Sequence, residues 1–190
     1  MSQQLTGKEV WDNTKTLLGT YKIVLGTQGS QILQNDPKKL GSILSSYKFA
    51  AKMACKNAKV LELGCGEGLG AAILAEHAIT YLGIDPDLSN IQIASRNFPT
   101  FTFTHDHYIG KKYGQFEAII SLNPQTDRLF FQTIMDNLAP DGIVIITAQE
   151  NTAFEMKQLF HQVFTFGKSD EVVHTGFSHE TICVGCHARK

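Results

Sequence analysis

Val60-Leu61-Glu62-Leu63-Gly64-Cys65-Gly66-Glu67-Gly68 is the most informative stretch of this chain. An apolar run typical of a buried parallel strand ends in glycines at alternate positions, and Leu69 to His77 then has the pattern of a helix. Glycines at this spacing permit a tight turn, a close approach of the backbone to a ligand, and close packing of the helix on the strand. The unpaired N–H groups at the start of that helix would face the ligand. The stretch therefore predicts a nucleotide-binding turn.

A second apolar strand strengthens this prediction. It runs from Ile79 to Ile84 and ends at Asp85, which follows Gly64 by about 20 residues. An acid at this distance from a glycine turn suits a carboxylate that accepts hydrogen bonds from both hydroxyls of a ribose. The alternative is a strand and helix that need glycine only for packing, and the position of Asp85 favours the ribose site.

The acid and glycine turn of residues 62–68 resemble the first motif of the class I S-adenosylmethionine-dependent methyltransferases, and the resemblance covers roughly residues 45–187. Its third glycine, Gly68, comes one residue earlier than in the dinucleotide pattern, which fits a methionine moiety better than a pyrophosphate. The resemblance implies an α/β, Rossmann-like fold. Its seven-stranded sheet would be mostly parallel with the last strand antiparallel, with helices on both faces.

The resemblance also implies a cofactor, S-adenosyl-L-methionine, whose product is S-adenosyl-L-homocysteine. The glycine turn would line the methionine portion, with Glu62 near its amino group, while Asp85 would bind the ribose and Asp106 the adenine amine. For Asp106, the alternative is an acid in a surface turn. The cofactor-binding residues expected on this basis are Glu62, Gly64, Cys65, Gly66, Gly68, Asp85, Pro86, Asp106, His107, Ser121 and Leu122.

The chain divides into two predicted parts: an N-terminal helical extension at residues 1–54 and a methyltransferase domain at 55–190. Within the extension, the sequence predicts helices over Lys8–Leu18 and Pro37–Ala54, with proline at the start of the second. Gly26–Asp36 between them is predicted as a polar connection. Two roles stay open for the extension: a cover that excludes water and shapes the acceptor pocket, or a segment that packs on the edge of the sheet.

Strands and helices alternate after Asp85, which is the pattern of a parallel sheet covered on both faces. A turn at Ala139-Pro140-Asp141-Gly142 is predicted to lead into the fifth strand, and the last strand is predicted to insert antiparallel. The predicted helices are Leu88–Asn97, Thr126–Leu138 and Thr152–Phe160, and the predicted strands are Phe101–Thr104, Phe116–Leu122, Gly142–Thr147, Val163–Phe166 and Glu180–His187.

Methyl transfer to oxygen or nitrogen requires a group that removes a proton from the acceptor, and histidine or carboxylate suits that task. The candidates are His105, His107, Glu150, His174 and His179. His174 and His107 are the predicted catalytic residues, with a structural histidine as the alternative for His174. Residues 170–177, Asp-Glu-Val-Val-His-Thr-Gly-Phe, resemble a subgroup of small-molecule methyltransferases associated with surface-sugar or secondary-metabolite pathways, as do residues 46–53.

The loops after the fourth and fifth predicted strands are shorter than in that subgroup. They comprise residues 123–127 and 148–151. Such loops build acceptor pockets, because function in these folds depends on the loops attached to them. Their shortness leaves the cofactor site intact and raises the alternative that the chain binds the cofactor but acts only as a partner or regulatory subunit. The sequence does not fix the oligomeric state, and a homodimer and a hetero-oligomer are among the alternatives.

Composition argues against several other classes of function. The 190 residues carry a net charge of −1 at pH 7, whereas nucleic-acid-binding proteins usually present a basic face. Lys38-Lys39 and Lys111-Lys112 are only short basic pairs, and Asn123-Pro124 lacks the second proline and the aromatic residue of enzymes that methylate flipped bases. We therefore expect a small-molecule acceptor, and keep an RNA or protein acceptor as a weaker alternative.

The sequence also bears on cysteine chemistry and location. Residues 183–187, Cys-Val-Gly-Cys-His, match a haem-attachment pattern, but they fit a terminal strand better, so no metal site is predicted. The N-terminus lacks an apolar signal core, and no apolar run reaches the roughly 20 residues that span a membrane. We expect a soluble, cytoplasmic protein with four reduced cysteines.

Overall fold

A computed structural model describes residues 6–18, 22–122, 124, 127–148, 152–169, 172–176 and 180–189. All of its strands join one sheet. The strands are β1 Lys59–Leu63, β2 Thr80–Asp85, β3 Thr102–His105, β4 Phe116–Ser121, β5 Leu138–Ala148, β6 Phe160–Ser169, β7 Val172–His174 and β8 Glu180–Ala188. The helices are α1 Gly7–Leu18, α2 Thr27–Asn35, α3 Pro37–Ala50, α4 Ala71–Ala75, α5 Leu88–Asn97, α6 Arg128–Asn137 and α7 Thr152–Leu159, and a π-helical turn, Ala51–Cys55, follows α3.

The strand order is β3-β2-β1-β4-β5-β8-β6-β7. The first five strands of this order are parallel, and β8 pairs antiparallel with both β5 and β6. The predicted fold class and the antiparallel insertion of the last strand are thus confirmed. The order reverses between β1 and β4, and in open α/β sheets the crevice at the carboxyl ends of the strands beside such a reversal is where ligands bind.

Among the residues that the structure describes, the sheet has eight strands rather than the seven predicted. The additional strand is β7, which pairs antiparallel with the end of β6 in the register Gly167↔His174. A three-residue strand in a polar segment carries too short a pattern to be recognised, since the alternation that marks strands needs about four residues or more.

The core lies on both faces of the sheet because successive side chains of each buried strand point to opposite sides. Leu61 and Ile119 face α6 and α7, in a cluster that includes Phe130 and Met156. On the other face, a second buried cluster joins α3 and α4 to the central strands and includes Val60, Ala118, Ile120, Tyr47 and Leu74. Burial on both faces explains why β1 and β4 are continuous apolar runs.

Side-chain caps set where several helices begin. The Asp36 carboxylate accepts from the backbone N–H of Lys39 at the start of α3, and Asp87 caps α5 in the same way through Ser89. Asp127 accepts from Phe130 N–H at the start of α6. Each cap satisfies N–H groups that have no partner within the helix, and the predicted start of α5 at Leu88 is confirmed.

The predicted polar connection Gly26–Asp36 is wrong, because Thr27–Asn35 forms α2. Its N-cap, Gly26, has no side chain to satisfy the first N–H groups, so the local sequence carries no start signal. Those groups donate instead to the carboxylate of Glu67, in the glycine turn. A cap supplied from about 40 residues away cannot be found by local pattern.

Other boundaries also shift. The helix predicted to continue to Ala54 ends at Ala50 and passes into the π-helical turn. The helix predicted from Leu69 begins at Ala71, since the preceding residues belong to the turn. Residues 139–142, predicted as a turn, lie within β5. They form an irregularity in its pairing with β4, because four residues of β5 separate the pairs Phe116↔Leu138 and Ala118↔Ile143 where β4 has one.

None of the helices in the described part of the chain combines the length and apolar character needed to cross a membrane.

Candidate functional site

The glycine turn is fixed between β1 and β2 by its backbone. Gly64 N–H and Cys65 N–H donate to the carbonyl of Ile84 at 2.8 and 3.0 Å. Gly64, Gly66 and Gly68 have φ values of 78°, 54° and 76°, which side-chain-bearing residues rarely adopt. A Cβ on Gly66 would point into open space, whereas one on Gly68 would lie 3.0 Å from Ala94 Cβ. Gly68 therefore serves helix packing, and Gly66 leaves room above the turn.

Asp85 ends β2 beside this turn and is 6% exposed. Its Oδ2 accepts from Gly66 N–H at 2.9 Å, and its Oδ1 accepts from Asp87 N–H at 2.9 Å and Asn90 Nδ2 at 3.0 Å. These bonds fix the orientation of the carboxylate. Since each carboxylate oxygen has two lone pairs, Oδ2 keeps acceptor capacity for a ligand hydroxyl.

A cavity of about 900 Å³ lies at the carboxyl ends of the central strands. This volume falls within the roughly 300–1,000 Å³ typical of ligand pockets. Its lining comes from α2 and α3, from the glycine turn, from the ends of β2, β4, β5 and β6, and from the start of β8. The lining residues are Gln28, Gly29, Gln31, Ile32, Lys39, Ile43, Tyr47, Gly64, Cys65, Gly66, Glu67, Leu69, Asp85, Pro86, Asn90, Tyr108, Leu122, Pro124, Thr147, Lys168, Glu180 and Thr181.

The structure brings only part of the predicted site to this cavity. The predicted residues that line it are Gly64, Cys65, Gly66, Asp85, Pro86 and Leu122. The predicted residues that do not line it are Glu62, Gly68, Asp106, His107, Ser121 and His174. Their predicted roles stay predictions, and their surroundings follow.

Glu62 lies beneath the glycine turn, 1% exposed. Its two oxygens accept from the hydroxyls of Tyr47, at 2.8 Å, and Tyr81, at 2.5 Å. Burial raises the pKa of Glu62 to about 7, against the two tyrosine hydrogen bonds, which lower it. Tyr47 belongs to α3 and lines the cavity, so this carboxylate links the N-terminal extension to the first strand.

Asp106 is turned toward a neighbouring cation. It pairs with Lys111 Nζ and accepts from Tyr113 Oη at 2.8 Å, and the hydrogen bond from Lys111 is the main cause that lowers the pKa of Asp106. Tyr108, two residues later, lines the cavity and is buried. Ser121 Oγ donates to Leu63 O at 2.8 Å and so ties the end of β4 to the end of β1.

The candidate bases among the described residues do not line the cavity. His105 Nε2 lies 3.1 Å from Pro86 O, and His107 is exposed. His174 on β7 accepts from Gly176 N–H through Nδ1 at 3.0 Å, so its neutral ring carries its proton on Nε2. Glu150 and His179 lie outside the described residues.

Cys65 lines the cavity but is not arranged as a nucleophile. Burial is the main cause that raises the pKa of its thiol, and the charge of Glu62 adds to this. A thiol with a raised pKa stays protonated and unreactive near neutral pH. Cys183 is buried in β8, which confirms the strand predicted for the haem-like pattern.

Sequence reasoning missed several lining residues. Glu67 accepts three backbone N–H groups, from Gly26, Gln28 and Gly29, at 2.9 to 3.3 Å. Lys168 on β6 is 9% exposed and lies 3.2 Å from Glu180 Oε2. Asn90, Tyr108 and Tyr47 are further examples. Only Glu67, between two glycines of the turn, carried a signal; the others come from segments whose convergence depends on the fold.

The fold and this cavity are those of a nucleotide-binding α/β domain whose ligand site lies at the switch point of the sheet. Residues 38–183 match the family described as "Methyltransferase domain". The chain therefore belongs to the S-adenosylmethionine-dependent methyltransferases of class I. No curated protein matches the sequence.

Solved structures show the same fold. A TehB-like SAM-dependent methyltransferase from Corynebacterium glutamicum is 18% identical, with a TM-score of 0.66 over 85% of this chain and 100% of that one. NodS, an N-methyltransferase from Bradyrhizobium japonicum solved with S-adenosylhomocysteine, is 15% identical, with a TM-score of 0.63 over 93% of this chain and 99% of its own.

A third similar structure is phosphoethanolamine N-methyltransferase 1 from Haemonchus contortus, solved with phosphoethanolamine and S-adenosylhomocysteine. It is 13% identical, with a TM-score of 0.67 over 96% of this chain and 50% of that one. At these identities the likeness shows the fold and not the acceptor.

The residues present fit S-adenosylmethionine. Open space over Gly66 admits a ligand against the backbone, and the oriented Asp85 carboxylate matches the needs of ribose hydroxyls. The cofactor of the family therefore agrees with the open space and the acceptor carboxylate of the cavity.

Proposed function

We propose that this methyltransferase transfers a methyl group to an oxygen or nitrogen of a small molecule. The observation that carries the proposal is the form of the cavity, which continues from Gly66 and Asp85 to Ile43, Thr147 and Thr181. Its volume of about 900 Å³ suits a nucleoside-sized donor together with a small acceptor. Helices α2 and α3 bound the cavity on one side, which disfavours a polymer as acceptor.

The donor half of the site would be formed by the glycine turn and the end of β2. Gly64, Cys65 and Gly66 would hold the methionine portion, with Asp85 on the ribose. The bound donor supplies a methyl group activated by its sulfonium, so the protein has mainly to align the acceptor, exclude water and provide for the departure of a proton.

The acceptor half would lie where β5, β6 and β8 meet at the same edge of the sheet. Thr147, Thr181 and the Lys168–Glu180 pair supply its polar groups. His174 and His107 stay candidate bases. For His174 to act, its ring would have to release the Gly176 amide, since Nδ1 carries the lone pair of the neutral form.

Residues before β1 would serve as a cover over this site. Two observations support that role: α2 and α3 line the cavity, and α2 is attached to the glycine turn through Glu67. A cover of this kind excludes water and shapes the acceptor pocket. The division into an extension at 1–54 and a domain at 55–190 is part of this proposal, although the family match begins at residue 38, within α3.

The test is to incubate the protein with S-adenosylmethionine labelled in the methyl group and with three cell fractions: metabolites, RNA and protein. Label in the metabolite fraction is expected. Asp85→Asn should abolish it, which shows that the label is transferred from this site. Label in RNA or protein alone would overturn the small-molecule proposal.

A second candidate is a cofactor-binding subunit that needs a partner chain for turnover. The observation in its favour is that His105, His107 and His174, the candidate histidines among the described residues, do not line the cavity. Binding of S-adenosylmethionine without label transfer to any fraction would favour this candidate. Transfer restored by a second protein would establish it.

A further inference from the structure

Glu62, the acid of the glycine motif, does not line the cavity, yet a residue bound to it does. Both of its oxygens are held by tyrosine hydroxyls, and Tyr47 is a lining residue whereas Tyr81 is not. The Tyr47 side chain therefore connects the Glu62 carboxylate to the ligand site by a hydrogen bond.

The hydrogen-bond direction fixes what Tyr47 can do. A phenol has one proton, and that of Tyr47 is donated to Glu62 Oε1 at 2.8 Å. Its oxygen keeps only lone pairs, so toward any further group it is an acceptor. The adjacent carboxylate strengthens it as an acceptor for a cationic donor.

Other acidic side chains beside the glycine turn are already engaged. Glu67 accepts three backbone N–H groups of the α2 start. Asp85 accepts from Gly66, Asp87 and Asn90 and is the expected ribose ligand. Tyr47 lines the same cavity as Gly64 and Gly66, and its hydroxyl oxygen keeps acceptor capacity for an ammonium group bound along that turn.

We propose that Tyr47 Oη accepts a hydrogen bond from the α-ammonium of the methyl donor, and that Glu62 is a positioning residue that holds and polarises Tyr47 rather than a direct ligand. The role does not depend on which acceptor is methylated.

The packing of Tyr47 supports a fixed position. A Cβ on Gly70 would overlap the Tyr47 ring, so the ring lies directly on the backbone that follows the glycine turn. The side chain is 7% exposed and cannot swing freely. A residue of α3 is thus held against the donor site by a hydrogen bond on one side and by glycine backbone on the other.

The test compares Tyr47→Phe with Tyr81→Phe by calorimetric titration. The two variants remove one hydroxyl each from the same carboxylate, so they are matched for the loss at Glu62. Three ligands are titrated: S-adenosylhomocysteine, its decarboxylated analogue, which keeps the ammonium, and methylthioadenosine, which lacks both the ammonium and the carboxylate. Melting temperatures report whether each variant is folded.

Tyr47→Phe is expected to lower the affinity for S-adenosylhomocysteine and for the decarboxylated analogue about tenfold. This is the effect of one hydrogen bond to a charged group. The affinity of Tyr47→Phe for methylthioadenosine should change by less than about twofold. Tyr81→Phe should leave the affinities for all three ligands within about twofold of wild type. Equal losses for the two variants, or a loss for methylthioadenosine as large as for the amino-acid ligands, would overturn the proposal. Tighter binding of methylthioadenosine than of S-adenosylhomocysteine by the wild-type protein would also overturn the proposal.

Discussion

Glu62 shows how burial changes the meaning of a motif residue. The family resemblance implies an acid here near the amino group of the cofactor, and in the structure two tyrosine hydroxyls donate to its carboxylate. Tyr81 and the aromatic rings around it come from β2 and its neighbours, so no local pattern could reveal the contact. The hydrogen-bond partners of this acid therefore depend on tertiary packing, and its role toward the cofactor stays a prediction.

The pKa of Glu62 gives a prediction about stability. Burial raises it from 4.5 to about 7, so the folded protein holds a proton that the unfolded chain releases between these values. The stabilising contribution is complete below pH 4.5 and is lost as pH rises through 7. Glu62→Gln lacks this loss, so its stability relative to wild type should rise on the order of 2–3 kcal/mol between pH 4.5 and 8.

Urea unfolding at several pH values measures this difference. Glu117→Gln is the control, because Glu117 is an exposed carboxylate that accepts from Lys59 N–H at the opposite end of β1. A constant difference between Glu62→Gln and wild type across this range would contradict the assigned pKa direction.

Gly66 gives a second prediction at the residue scale. Its φ is +54°, and a Cβ there would enter open space of the cavity. Gly110 also has positive φ, +77°, with open space around a Cβ, but it does not line the cavity. Alanine at either position should cost roughly 1–2 kcal/mol of stability because of the left-handed backbone.

Only Gly66→Ala is expected to lower the affinity for S-adenosylhomocysteine as well, by tenfold or more, because the methyl group of the new alanine occupies ligand space. Thermal unfolding and calorimetric titration of the two variants check both parts. Equal ligand affinity in the two variants would show that the space over Gly66 is not the donor site.

At the scale of elements, α2 depends on a carboxylate that belongs to the turn. Glu67 supplies the cap that Gly26 cannot, and this places a helix of the extension against the cavity. Removal of a side-chain cap costs about 1 kcal/mol. The attachment makes the order of α2 and the shape of the ligand site interdependent.

Glu67→Ala should therefore speed hydrogen exchange at the amides of Gly26, Gln28 and Gly29. The variant should also bind S-adenosylhomocysteine with severalfold lower affinity. Asp127→Ala is the matched control: it removes a carboxylate cap from α6, which does not line the cavity. If both variants exchange alike in α2, the Glu67 bonds do not hold the helix.

Long, strongly patterned elements were predictable from sequence. Helix α5 begins and ends where the pattern placed it, and β1, β2 and β4 agree within about a residue or two, because burial on both faces imposes apolar runs. Helix α2 and strand β7 were not predictable. One depends on a remote cap and the other is too short for a pattern to emerge.

At the scale of the whole molecule, the sheet order converts scattered segments into one site. The glycine turn and Asp85 could be placed from sequence, since both follow adjacent strands at a switch point. Tyr47, Lys168 and Thr181 could not, because α3, β6 and β8 reach the cavity only through the folded topology. The sequence therefore left unspecified which residues of these elements line the cavity.

We expect this cavity to bind the methyl donor through the glycine turn and Asp85. Calorimetric titration of S-adenosylmethionine into wild type, Asp85→Asn and Glu117→Gln tests it most directly. Wild type and Glu117→Gln should bind one donor per chain with equal affinity. Asp85→Asn should lose more than tenfold in affinity, because the substitution removes the charge and an acceptor facing the ribose. Equal binding by Asp85→Asn, or no binding by wild type, would show that this cavity is not the donor site.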